Sequence, residues 1–87
     1  MTSAGLVNLG FENALVADRV VAVVSPDAAP IRRLKEEARR HNKLIDATNG
    51  RRTRAVVVTD SDHIVLTSLQ PLTLIQRLQE SRGTHAT

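Results

Sequence analysis

The sequence predicts an α+β domain: a small, mostly antiparallel β-sheet with two α-helices. Three observations predict it. Short apolar runs of strand character alternate with turn dipeptides. Two stretches opened by proline repeat their apolar residues at helical spacing. With 87 residues there is room for one domain, read as residues 1–81, followed by a flexible tail over 82–87.

Residues 5–9 read as a short strand, Gly10-Phe11-Glu12-Asn13 as a turn, and residues 14–17 as a second strand. Val20-Val21-Ala22-Val23-Val24 is a β-branched apolar run, which predicts a strand buried on both faces. A domain this small has trouble covering both faces, and a partner subunit is one source of the missing cover. Ser25 or Asp27 is positioned to cap a helix reaching about residue 41, with Pro26 and Pro30 near its first turn. Ile31, Leu34 and Ala38 form its expected buried stripe, and Arg32–Glu36, Arg33–Glu37 and Glu36–Arg40 are i,i+4 pairs.

Leu44–Thr48 is the next strand. Asn49-Gly50 is the favoured dipeptide of a two-residue type I′ hairpin, so Arg51–Thr59 is expected to return as the paired strand. Asp60-Ser61-Asp62 is a tight turn and His63–Leu69 another strand. Pro71 opens a last helix to about Ser81, with Leu74, Ile75 and Leu78 on its apolar side.

The composition excludes several classes. There is no cysteine, so thiol catalysis, disulfides and thiolate metal sites are out. A single phenylalanine, with no tyrosine or tryptophan, removes the stacking platforms of single-strand binders. No apolar run is long enough to span a membrane and the first residues lack a secretory pattern, so an intracellular, cytoplasmic protein is expected. No glycine-rich phosphate loop, acid–base pair or cofactor motif is present. No enzyme reading, metal, cofactor or small-molecule substrate is supported.

Charge is the strongest signal. Residues 32–54 hold nine of the twelve Lys/Arg against three acids, a local +6, while the rest of the chain carries −3. Ten of the twelve are arginine, whose planar fork suits phosphate oxygens and base edges. This concentration predicts an acidic partner such as nucleic acid. Arg51, Arg52 and Arg54 follow the Asn-Gly turn, and strand alternation would put Arg52 and Arg54 on one face. A hairpin tip so armed can follow phosphates or enter a narrow minor groove. The alternative is a solvated turn with its arginines paired to Asp46 or a glutamate. Arg32, Arg33, Arg39 and Arg40 could track phosphates, but the interleaved glutamates favour a solvated face. Asp60-Ser61-Asp62-His63 is better explained as a turn than as a metal site, since no further ligand has the right spacing.

Leu44-Ile45-Asp46-Ala47-Thr48-Asn49-Gly50-Arg51-Arg52-Thr53-Arg54-Ala55-Val56-Val57 resembles the RemA family of bacterial extracellular-matrix and biofilm regulators. Gly10-Phe11 with Asn13, Ser25-Pro26 with Pro30-Ile31, Asp60-Ser61-Asp62-His63, Gln70-Pro71 with Thr73, and Arg77-Leu78 extend the match in one register over about residues 8–78. Asn49 departs from the family pattern, which has an aromatic residue before the glycine. The resemblance implies a transcriptional regulator that assembles as a homo-oligomeric ring and binds duplex DNA, associated with the nucleoid. Its functional arginines carry over onto Arg19, Arg51 and Arg52, and Pro30 falls where a proline matters. Arg54, Arg32 and Arg33 are further candidates from the charge pattern. The alternatives are an oligomeric adaptor that binds an acidic protein, or an RNA-binding protein.

Overall fold

The computed structural model describes the backbone of residues 5–85 and the side chains of residues 5–81. Residues 1–4, and the last two positions of the expected tail, lie outside the described residues. The chain forms β1 (Leu6–Gly10), β2 (Asn13–Val16), a 3₁₀ turn (Ala17–Arg19), β3 (Val20–Val24), α1 (Ala29–Arg40), β4 (Leu44–Asp46), β5 (Ala55–Thr59), β6 (Ile64–Thr67) and α2 (Pro71–His85). The α+β class is as expected. α2 continues beyond the expected end at Ser81 to His85.

Strands β1 and β2 form an antiparallel hairpin, and the other four form a sheet of order β3-β5-β6-β4. The β3–β5 and β5–β6 pairs are antiparallel, whereas β4 lies parallel to β6. This corrects the expected Asn49-Gly50 hairpin, because β4 and β5 are not partners. The turn itself forms: Asn49 and Gly50 have φ of 56° and 81°, and the Arg51 N–H donates to the Thr48 carbonyl at 3.1 Å. A competing local contact redirects the chain. Asp46 Oδ1 accepts from both the N–H and the hydroxyl of Thr48, which bends the segment out of the sheet after only three residues of strand. Residues 47–54 then cross the end of β6 to reach β5. Ala47 and Arg54 donate to the carbonyls of Leu66 and Thr67 on the way.

Both faces of the central strands are covered. Ala55, Val57 and Val65 point into a core shared with Val7, Leu9, Ala17 and Leu74, contributed by the β1–β2 hairpin, the 3₁₀ turn and α2. Val56, Ile64 and Leu66 alternate to the other face, against Ala38 and Ile31 of α1. One small domain thus achieves three layers. The strand pair buried on both sides is β5–β6, and not β3 as its apolar run suggested. β3 is an outer strand without a single fully buried side chain, and its Val21 is 66% exposed.

The helix ends follow local chemistry. At α1 the N-cap is Ala28, with no side-chain cap, so neither Ser25 nor Asp27 fills that role. The Ser25 hydroxyl instead accepts from the Asp27 N–H at 3.4 Å. The C-terminus closes with Asn42 at φ 59°, Lys43 N–H donating to the Ala38 carbonyl at 2.7 Å and Asn42 N–H to the Arg39 carbonyl at 3.3 Å. This is a Schellman closure with asparagine in place of the usual glycine. Of the expected stripe, Ala38 is buried and Ile31 half-buried, but Leu34 is 42% exposed. The expected i,i+4 pairs give way to Arg39–Glu36 and Arg40–Glu37 at i,i+3.

Candidate nucleic-acid interface

The basic segment is a crossover loop rather than a strand. Arg51, Arg52 and Arg54 are not in a strand as expected, yet Arg52 and Arg54 share one cleft while Arg51 turns to the β1–β2 hairpin, the division that alternation would have given. Their position is nevertheless fixed. The Thr48–Arg51 turn anchors one end and the Arg54–Thr67 backbone bond the other. Thr48, buried to 2% exposure, ties the turn to the sheet.

Arg51 meets the β1–β2 turn. Its guanidinium carbon lies 4.9 Å from the centroid of the Phe11 ring, within cation–π range. Phe11 and Glu12 are the two turn residues of that hairpin, at φ of 54° and 66°. Two positive φ values are what a type I′ turn requires, but a bulky residue there costs roughly 1–2 kcal/mol. Phe11 is also 44% exposed, so burial does not compensate for the strain.

Arg52 and Arg54 border a polar cleft of about 170 Å³ with Ser25, Pro26, Asp27, Thr53 and Gln70. The cleft lies where β3 ends and β5 begins. Neither guanidinium group has a hydrogen bond or ion pair among the described residues, and the same holds for those of Arg32 and Arg33 on the exposed side of α1. The expected alternative, arginines tied to Asp46 or a glutamate, is not what the structure contains. Asp46 is occupied by Thr48, and these two hydrogen bonds, the hydroxyl first, hold its carboxyl below the usual carboxylate range.

Arg19 stands apart. It closes the opposite end of the β3–β5 pair, its Nε donating to Asp60 Oδ1 at 2.7 Å while its carbonyl accepts the Asp60 N–H at 2.9 Å. From residue 54 to residue 60 the strand covers about 20 Å at ~3.3 Å per residue. Within one chain, Arg19 is therefore remote from the crossover arginines. The structure brings Arg51, Arg52 and Arg54 to one end of the sheet and leaves Arg19 at the other.

Two residues at these positions escaped sequence reasoning. Asp60 was legible only as a turn residue, since its ion pair depends on the β3–β5 register. Phe11 had a usable signal: the chain's one aromatic residue sits in a turn and not in a strand. Asp60-Ser61-Asp62-His63 is the expected turn, with Asp62 at φ 67° and the Ser61 hydroxyl 2.7 Å from His63 Nδ1. No group of three or more potential ligands for a metal occurs among the described residues. No helix there is long and apolar enough to cross a membrane.

The family model described as RemA-like, "Extracellular matrix regulatory protein A-like", matches residues 6–78. The chain is 60% identical over 78 residues to a protein named "Putative regulatory protein" from Syntrophobacter fumaroxidans, covering 90% of this chain and 83% of the relative. Proteins of the same name from Pseudothermotoga lettingae and Fervidobacterium nodosum are each 54% identical over 77 residues, covering 88% of this chain. They are matched over 85% and 83% of their own lengths.

Proposed function

Because the chain belongs to the RemA-like family of regulatory proteins, we propose that it is a non-catalytic transcriptional regulator that binds duplex DNA as a homo-oligomeric ring. The observation that carries this reading is the crossover loop. It displays Arg51, Arg52 and Arg54 at one end of the sheet with no acidic partner among the described residues. Unpaired guanidinium groups on a backbone anchored at both ends suit phosphate oxygens.

Multiplicity follows from the arithmetic. Arg51, Arg52 and Arg54 displace about three counterions, a salt slope of only ~ −2.7 per subunit, to which Arg19, already paired with Asp60, adds less than a full charge. That is weak binding, and repetition of the loop around a ring makes later contacts intramolecular. The outer strands support assembly, since β3 exposes Val21 and β4 exposes Ile45. So few side chains leave little room for base readout, so recognition leans on DNA shape and site spacing. By family, the targets are genes of the extracellular matrix, and the site of action is the cytoplasmic nucleoid.

The test is a gel-shift titration on duplex DNA across salt, with native mass measured in parallel. The expected result is a slope well beyond −3, seen only for the oligomer. An oligomer that ignores DNA at low salt would overturn the reading and point to an acidic protein as the partner. Preference for structured RNA over duplex DNA would overturn it as well.

A further inference from the structure

We propose that Phe11 is a positioning residue for DNA binding, its ring serving as the platform that orients the Arg51 guanidinium. This rests on the DNA-binding reading above and adds the β1–β2 hairpin to the interface.

Three observations converge on Phe11. Its ring lies 4.9 Å beneath the Arg51 guanidinium carbon. It is the only aromatic residue in the chain, and it lies at the tip of a turn, 44% exposed, and not in the core. Its backbone is held at φ 54°, a conformation that disfavours a bulky side chain. A residue that is neither well buried nor comfortable in its backbone needs another reason for its identity, and the contact with Arg51 supplies one.

The chemistry of the contact explains why an aromatic suits this place better than a carboxylate. A carboxylate partner consumes the N–H donors of arginine, as Asp60 consumes the Nε–H of Arg19. A ring accepts no conventional hydrogen bond, so the five N–H donors of the guanidinium stay available for phosphate oxygens. The ring also restricts an otherwise mobile side chain before DNA arrives, which reduces the ordering cost on binding. Arg52 and Arg54, one and three residues further on, have no such support.

The experiment compares Phe11→Leu, Phe11→Tyr, Arg51→Ala and the double variant Phe11→Leu/Arg51→Ala in duplex-DNA titrations across salt. Phe11→Leu keeps an apolar side chain and removes the π face. It should weaken binding by about 2- to 5-fold per contacting subunit, from the strength of an exposed cation–π contact. The salt slope should stay unchanged, because no charge is lost. Phe11→Tyr should restore binding. The double variant should bind like Arg51→Ala alone. Wild-type affinity in Phe11→Leu would overturn the proposal while leaving the regulator reading intact. The same fold loss in the Arg51→Ala background would also overturn it, because the ring would then act independently of Arg51. A wild-type protein that fails to bind DNA overturns both.

A second readout does not depend on affinity. The chain has no tryptophan, so Phe11→Trp introduces a single indole. Its emission should change on addition of duplex DNA, and the change should vanish in Phe11→Trp/Arg51→Ala. An indole indifferent to DNA bound by the same protein would place the hairpin tip outside the interface and overturn the proposal.

Discussion

Arg19 and Asp60 lock the end of the sheet where β3 begins and β5 stops, through a side-chain ion pair at 2.7 Å and a backbone hydrogen bond at 2.9 Å between the same two residues. Both side chains are more or less half exposed, at 58% and 50%. The ion pair therefore adds at most about 1 kcal/mol to stability. Its greater effect is on charge, because it places a carboxylate beside one of the proposed DNA-binding arginines.

Asp60→Asn should therefore tighten DNA binding and make its salt dependence steeper, with the melting temperature nearly unchanged. Anisotropy titrations at several salt concentrations measure both. An unaltered slope and affinity would remove Arg19 from the interface.

Gly50→Ala should destabilise the domain by roughly 1–2 kcal/mol, the cost of holding alanine in the left-handed region. The residue has φ 81°, and an added Cβ would meet nothing within 4 Å, so the penalty is conformational and not steric. Gly50→Asn should cost less, since asparagine tolerates positive φ. Urea denaturation measures the two, and equal losses would contradict this account.

The two tight turns at Phe11-Glu12 and Asn49-Gly50 show what the sequence made legible and what it did not. The Asn49-Gly50 dipeptide correctly signalled a backbone with two positive φ values, yet no hairpin follows from it. Phe11-Glu12 has an unfavourable composition for such a turn and nonetheless closes a real hairpin. Local composition reports local conformation. Strand partnership is decided by which faces can be buried, and here Val57 and Val65 pair across a common core while the three-residue β4 takes the outside. The element order was readable for the same reason that the sheet order was not. Likewise the basic segment was legible from charge alone. The separation of Arg19 from Arg51 and Arg52 was not, because it depends on the β3–β5 register.

Thr48→Val should lower stability most near neutral pH and progressively less in acid. The Thr48 hydroxyl and N–H both favour ionised Asp46, so its folded pKa lies below the ordinary 3.8. A carboxylate with a depressed folded pKa contributes stability above the unfolded value, and that contribution is lost as pH falls through the folded value. The gap between variant and wild-type melting temperatures should narrow between about pH 5 and pH 2. A constant gap would mean that the hydroxyl bond is not linked to the charge.

Val21→Lys should leave the fold of a single chain intact, since the side chain is 66% exposed and surface changes rarely exceed about 0.5 kcal/mol. If copies join along the outer edge of β3, the variant should appear as a smaller species by native mass. Its DNA binding should weaken in parallel. A variant of wild-type mass would exclude this edge from the assembly.

The parallel pairing of β4 with β6 bears on when the arginines acquire their positions. A hairpin can form early and alone, from contacts between sequence neighbours. The crossover loop has no such route. β4 pairs only with β6, so residues 47–54 are fixed at both ends only once β6 stands beside both β4 and β5. A newly made chain carries its guanidinium groups on loose backbone until the sheet closes. DNA recognition and completion of the fold thus share one prerequisite. A destabilising change within β6 that touches no guanidinium group should register first as a loss of DNA binding.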